Sequence, residues 1–340
     1  ELREKRFRTS AEVREHIGSL SVSATPRAIG RQRKSPADAI LTDNRSAFAE
    51  SFRVSWTKIH FAVAGPKSVS VGGGGPGVAL GITSAASGEG KSVHALGLAR
   101  TAALAGETVV LVDADLRRSG VSRLMHQDFE YTLGDFLRGR CTADDVVLVE
   151  ERSGIHFVPG APTDIAWTTP ELQRFFDFIE HLNHRYSVVI IDLPPIVGLA
   201  ETIRLAPAAD HVALVIRWGR SERQFVQFAL DSLRAAGLST IAVILNDVDL
   251  KAQRRRGYRD YHTAAYTDKE LYRRPPAGFR DPVPAVPAPL LASAAAPSDT
   301  SYSDTSYKIN GARPRRGDKH GDPAGSVNSD IARLYDRYRG

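Results

Sequence analysis

The sequence predicts an α/β fold: a doubly wound, mainly parallel sheet with a phosphate-binding loop, followed by a disordered C-terminal tail. Three observations carry this prediction. The apolar runs 78–82, 109–112 and 188–191 are short, β-type and unbroken, as parallel strands covered on both faces require. Each run ends in a loop of small or acidic residues, where doubly wound sheets bind ligands. Helix-compatible segments separate the runs, which is the βαβ pattern.

In chain order, residues 1–45 are polar and highly charged. Thr9-x-x-Glu12 predicts a capping box for a short helix ending near Gly18. Lys5, Arg6 and Arg8 form a small basic cluster. From 47 to 62, Phe48, Phe52 and Ile59 recur at helical spacing. A glycine-rich connector, 66–77, then leads into the nucleotide-binding domain proper, 78–250; with the helix before the connector, the whole domain is read as 46–250. Within it the reading places helices over 133–149, 170–182 and 222–236, and further strands over 155–158, 212–216 and 241–245.

The stretch Ala85-Ala86-Ser87-Gly88-Glu89-Gly90-Lys91-Ser92 matches G-x-x-x-x-G-K-[ST] except that Ala85 stands at the first glycine. Gly88 and Gly90 allow backbone N–H groups to turn inward around phosphate oxygens. Glu89, Gly90, Lys91, Ser92 and Val93 supply loop and helix-start amides, and the helix beginning there adds its positive end. Lys91, expected on an exposed loop, reaches the outer phosphates, and the Ser92 hydroxyl suits Mg²⁺. The strand 109–112 delivers Asp113, Asp115 and Arg117 to the same sheet edge, and 188–191 delivers Asp192. Asn246 follows the last strand; by resemblance to related ATPases an asparagine there would read the adenine edge, though an Asn in a loop is more often a turn former.

This set resembles the bacterial tyrosine kinase (BY-kinase) domain of polysaccharide co-polymerase and exopolysaccharide transport proteins, a P-loop NTPase fold. Ala85–Ser92 corresponds to that family's Walker A loop, Leu111–Arg117 to its Walker A′ motif and Val188–Asp192 to its Walker B motif. The resemblance covers roughly residues 1 to 272. It implies an ATP-dependent protein tyrosine autokinase with Mg²⁺. Lys91, Asp113, Asp115, Arg117 and Asp192 would carry catalysis, and Ser92, Asp115 and Asp192 would hold the metal. Asp113 is the candidate for orienting or deprotonating the incoming tyrosine hydroxyl, and Asp113 and Asp115 can exchange these roles. It also implies homo-oligomers, partners in the polysaccharide export machinery, a phosphotyrosine phosphatase, and a cytoplasmic domain tethered to the bacterial inner membrane. Residues 1–45 then read as a juxtamembrane segment. The family's Glu-x-x-Arg-x-x-Arg ring motif is present only in part. Glu50 and Arg53 match it and Trp56 stands at the second arginine. Either this is an amphipathic helix packed on the chain's own core, or ring closure needs both arginines, which predicts weak self-association that Trp56→Arg would strengthen. Glu201 stands where the family usually has aspartate.

Composition sets the remaining bounds. With 340 residues and 42% hydrophobic content the chain can build a sizeable core. A single cysteine, Cys141, excludes an internal disulfide and fits a reducing compartment. No apolar run approaches the ~20 residues that cross a bilayer. The chain begins at Glu1 and its only methionine is Met125, which reads as a fragment or processed form. Residues 251–340 carry 17 Lys+Arg against 10 Asp+Glu, while the first 250 carry 28 against 29, so the net charge of +6 belongs to the tail. Eight of the ten tyrosines lie there too. Tyr258, Tyr261, Tyr266 and Tyr272 sit among arginines in the 251–274 cluster and are the candidate phospho-acceptors; 275–340 is low-complexity. A basic, tyrosine-bearing tail can also stack on nucleic acid, but beside the three upstream motifs no nucleic-acid partner is expected. The competing reading is a non-kinase ATPase switch of the partitioning and cell-division type. That class usually has a second lysine near the start of its loop, where this chain has Ala85-Ala86-Ser87.

Overall fold

The computed structural model describes residues 5–18, 21–64, 77–162, 167–258, 260, 263 and 266. Tyr261, Tyr272, most of the glycine-rich connector and everything from 267 onward, including the low-complexity tail, lie outside the described residues. The described residues all fall within one unit, 1–290.

The chain opens with α1 (Ser10–Ile17), capped as its sequence requires: Thr9 Oγ accepts the Glu12 N–H at 3.1 Å, and Gly18 closes the helix at φ 81°. The Glu12 carboxylate turns to the Arg8 N–H rather than to that of Thr9. Strand β1 (Ser21–Pro26), the short helix α2 (Ala39–Thr42) and α3 (Ala47–Ala64) follow. Then come β2 (Val78–Ser84), α4 (Lys91–Leu104), β3 (Val109–Asp113), α5 (Gly120–Met125), α6 (Leu133–Leu137), β4 (Leu148–Val149) and β5 (His156–Val158). The last third holds α7 (Thr169–Asn183), β6 (Val188–Asp192), α8 (Ala200–Leu205), β7 (His211–Arg217), α9 (Arg223–Ala235), β8 (Thr240–Val248) and α10 (Leu250–Arg255).

The strands form one eight-stranded sheet in the order β1-β8-β7-β2-β6-β3-β5-β4. Every pairing is parallel except β4 with β5. The apolar runs are unbroken because both sheet faces are covered. Val110, Val112, Val189 and Ile191 enter one core with α7 and α9, while their neighbours Val109, Leu111, Val188 and Ile190 enter the other with α3 and α4. Strand β2 lies between β6 and β7, so its carboxyl end is the switch point of the doubly wound sheet.

Two elements depart from the sequence reading. Ser21–Pro26 joins the sheet as an edge strand beside β8, with Val22 opposite Val243 and Ala24 opposite Leu245. The sheet thus takes in a strand from before residue 46. That strand has no apolar run to announce it; Ser23 Oγ instead receives the Ser55 hydroxyl at 2.9 Å, and the Lys58 ammonium donates to the Val22 carbonyl. The helix predicted over 133–149 stops at Leu137, because Gly139 turns left-handed at φ 72° and a new Thr142–Asp145 turn leads into β4.

Trp56 follows the reading in which this helix packs on the chain's own core. It is 8% exposed in the core between α3 and the sheet, with Phe48, Phe52 and Ile59. Glu50 and Arg53 pair within their own helix at 2.5 Å, and Arg53 also donates to the Asn44 carbonyl. Position 56 therefore faces the chain's own interior. Trp56→Arg should destabilise the domain by about 3 kcal/mol or more, through the lost ring and the buried charge. Urea unfolding measures the loss. Light scattering should show no gain in self-association; a stable, more strongly associating variant would put position 56 at a subunit contact instead. No helix among the described residues is long and apolar enough to cross a membrane.

Candidate functional site

The site is built where β2, β3 and β6 end side by side. Parallel register sets Asp113 opposite Asp192, and β2 flanks β6 with Ile82 opposite Asp192. The phosphate-type loop leaves β2 after Ser84 and enters α4 at Lys91. Gly88 and Gly90 adopt φ 79° and 100°. A side chain at Gly90 would be strained, and its Cβ would also fall 2.2 Å from the Asn246 amide nitrogen, so only glycine fits.

Lys91 does not project from an exposed loop. It is 8% exposed, and its ammonium lies 2.8 Å from Asp115 and 3.2 Å from Asp192, with Ser92 Oγ at 3.3 Å. Burial alone would lower its pKa, but Asp192 and then Asp115 more than offset this and hold it above the ordinary lysine value. Asp113 is fully buried. One of its oxygens accepts the Ser122 N–H at 2.8 Å and the Ser122 hydroxyl at 2.7 Å. Burial, then the neighbouring Asp192, push its pKa up to about 7. Burial also raises Asp192, against the pull of Lys91.

The cluster thus joins Lys91, Ser92, Asp113, Asp115 and Asp192, five of the residues singled out from the sequence. Gly120 at the start of α5 closes over it; a Cβ there would come 2.3 Å from Ser92 Oγ. Arg117 stands at the rim, largely exposed, in a two-point pair with Glu201 at 2.7 and 2.9 Å. Val93 packs its side chain against the α3–α4 core. Asn246 lies within β8 rather than beyond it, and donates to the Glu89 carbonyl at 2.8 Å. Its side chain holds the loop's backbone. Tyr258 N–H bonds back to Gln253 at the end of α10, and Tyr266 is buried at 9% exposure. Tyr266 lines a cavity of about 590 Å³ at the β1–β8 edge together with Phe48 and Arg254.

Hard oxygen donors with too little positive charge suit a small divalent cation. One ammonium here faces three carboxylates, and Asp113 Oδ1 and Asp115 Oδ1 have no hydrogen-bond partner among the described residues. No ready-made metal cage of three acidic, His or Cys side chains occurs among the described residues. The donors therefore fit Mg²⁺, which keeps several waters and takes phosphate oxygens, better than a metal needing an all-protein cage.

Against this geometry, the profile of the CobQ/CobB/MinD/ParA nucleotide-binding domain matches residues 80–270. Tyrosine-protein kinase CpsD of Streptococcus agalactiae is 30% identical over 188 residues, which cover 54% of this chain and 80% of that protein. The chain belongs to the bacterial tyrosine kinase family, within the CobQ/CobB/MinD/ParA nucleotide-binding group. This BY-kinase-family domain is also 25% identical over 281 residues to the succinoglycan biosynthesis transport protein ExoP of Rhizobium meliloti, covering 74% of the chain and 34% of ExoP. It spans about a quarter to a third of the longer curated relatives it matches. Among solved structures, the BceF tyrosine kinase domain superposes with a TM-score of 0.58 at 25% identity, covering 72% of this chain and 99% of that one.

Sequence reasoning missed several residues that shape the BY-kinase-family site. Ser122 fixes Asp113, and only the small-residue run Ser119–Ser122 hinted at a helix start there. Arg217 reaches the Gly88 carbonyl at 3.2 Å from the end of β7. His94 is fully buried, with Nδ1 3.0 Å from the Gly90 carbonyl and Nε2 3.0 Å from Thr25 Oγ. Burial lowers its pKa to about 4, against the Gly90 hydrogen bond. The folded state therefore binds fewer protons here than the unfolded chain. The His94 contribution is complete above pH 6.5 and is lost as pH falls toward 4, by roughly 3 kcal/mol. Urea midpoints at pH 7 and pH 4.5 should differ less in His94→Gln than in the parent. An equal difference would show that His94 titrates alike in the folded and unfolded protein.

Proposed function

We propose that this domain is an ATP-dependent protein tyrosine autokinase that regulates the synthesis and export of extracellular or capsular polysaccharide. The observation that carries the reading is the convergence of Lys91, Ser92, Asp113, Asp115 and Asp192 at one sheet edge, in a chain related to CpsD and ExoP. The phosphates of ATP would lie in the loop, against the amides of Gly88, Glu89, Gly90, Lys91, Ser92 and Val93, at the positive end of α4. Mg²⁺ would be held by Ser92 Oγ, Asp192 and Asp115, and would supply charge that neutralises the phosphates. Lys91 already sits among these oxygens and would shift part of its charge to the outer phosphates.

The tyrosine oxygen attacks the γ-phosphorus, the bond to the β–γ bridging oxygen breaks, and ADP leaves. The hydroxyl proton passes to a carboxylate. Asp113, with a pKa near neutral, is suited to take it, and Asp115 is the alternative. Arg117 would act at the rim. Asn246 would serve the nucleotide by holding the loop. The acceptors would be Tyr258, Tyr261 and Tyr272, on the same chain or on a neighbouring subunit of a homo-oligomer; Tyr266, buried as it is, would have to leave its packing before it could serve. The wider partners would be the export machinery, a phosphotyrosine phosphatase and a membrane tether.

Incubation with labelled ATP and Mg²⁺, followed by phosphoamino-acid analysis, tests the reading. Phosphotyrosine supports it. Release of inorganic phosphate without phosphotyrosine favours the ATPase switch, and bound nucleotide with neither product favours a scaffold. Mixing a tail-truncated active form with full-length Lys91→Met then tests transfer between subunits. Absence of phosphate on the inactive chain would rule that transfer out.

A further inference from the structure

The phosphate-type loop is held by a side-chain relay that its motif does not contain. Glu89 lies inside the loop and is 5% exposed. One of its carboxylate oxygens accepts the Ala86 N–H at 2.8 Å, tying the end of the loop to its beginning. The other accepts the hydroxyl of Ser221, from the connection between β7 and α9. That hydroxyl in turn accepts the Arg217 N–H at 2.6 Å. A single oxygen thus links the end of β7 to the carboxylate that closes the loop. We propose that Ser221 is a positioning residue for nucleotide binding, setting the phosphate loop through Glu89. The proposal rests on the nucleotide-binding reading of the loop.

Three features support this role over that of a routine turn hydroxyl. Ser221 is itself 5% exposed, so water does not readily replace it. Its connection is pinned independently: the Gly219 N–H donates to the Phe7 carbonyl, the Arg223 N–H to that of Lys5, and the Trp218 indole to that of Arg8. The hydroxyl therefore has a fixed origin from which to hold Glu89. The third is the loop's departure from its own motif. Ala85 replaces the first glycine and is fully buried, so the start of the loop is fixed by packing and by Glu89. Removing the Ser221 hydroxyl strands both the Arg217 N–H and a Glu89 oxygen, and leaves the carboxylate free to leave Ala86.

The test measures Mg-ADP affinity by calorimetry, KM and kcat for Mg-ATP, and the thermal midpoint of the nucleotide-free protein. Ser221→Ala should raise the Mg-ADP Kd about tenfold. KM should rise in parallel, with kcat changed much less, and Ser221→Thr should restore both. Glu89→Ala should match Ser221→Ala, while Glu89→Gln, which still accepts from Ala86, should lie near the parent. The double alanine variant should bind no worse than Glu89→Ala alone, because both changes cut one path. Parent-like affinity in Ser221→Ala with a lowered thermal midpoint would make the hydroxyl merely structural and overturn the proposal. So would a Thr variant as weak as Ala, or additive losses in the double variant. If Ser221→Ala does not fold, the comparison of Glu89→Gln with Glu89→Ala decides: equal affinities overturn the proposal. A parent that binds neither nucleotide would sink the functional reading and this proposal together, whereas the other failures touch only Ser221.

Discussion

Lys91→Met should lower phosphotyrosine formation at least a hundredfold, about 2.7 kcal/mol of transition-state stabilisation. Phosphoryl transfer depends on positioning and charge neutralisation, and this ammonium is the one cation placed between Asp115 and Asp192 among the described residues. The same substitution should also cost stability, because Lys91 is buried and its loss leaves three carboxylates facing one another. Breaking such a pair typically costs about 3–5 kcal/mol. Mg²⁺ binding to the folded state should recover part of it. Urea unfolding with and without Mg²⁺ reads the second effect, and phosphotyrosine labelling of the protein shown folded by circular dichroism reads the first. Labelling at the parental level would remove Lys91 from the site.

The second large effect is expected far from the phosphate loop. Arg100 on α4 is 1% exposed. Its guanidinium meets the Glu150 carboxylate through Nε at 3.1 Å and through Nη2, and Asp38 through Nη1 at 2.9 Å. Arg152 shares Asp38 at 3.0 Å. Arg100→Met should destabilise the domain by about 3–5 kcal/mol, chiefly by stranding Glu150, which is 6% exposed. At about 2–4 °C per kcal/mol this is a fall of roughly 6–20 °C in Tm. Adding Glu150→Leu should return part of the loss, since an apolar pair leaves no buried charge. If the double variant is less stable than Arg100→Met alone, the cost lies in packing rather than in the stranded carboxylate.

The sheet's inner strands were legible because parallel strands covered on both faces carry unbroken apolar runs; Val109–Asp113 and Val188–Asp192 therefore match their sequence readings within one residue. The cluster was legible for a related reason. When neighbouring strands run parallel, the residues just past each run meet at one edge, so Lys91, Asp113, Asp115 and Asp192 could be brought together before any contact was seen. Their local signals, glycines before a lysine and aspartates after an apolar run, each report a backbone event confined to a few residues.

Contacts between distant segments left no such mark. Helical spacing placed Phe48, Phe52 and Ile59 on an apolar stripe but did not say what covers it, and the answer is the chain's own core. Strand β1 pairs with β8 across more than 200 residues, and its Ser, Ala and Thr side chains carry no signal that could name the partner. Lys91 looked exposed because its sequence neighbours are small and polar, whereas its burial is set by carboxylates delivered from β3 and β6. Arg100 meets Glu150 and Asp38 at separations of 50 and 62 residues, and Ser221 meets Glu89 at 132. By itself the sequence determined the inner strands, the loop and the edge at which the acidic residues collect, because an unbroken apolar run records burial on both faces. The tertiary structure alone decided which partner buries each charged group, because that choice depends on segments far apart in the chain.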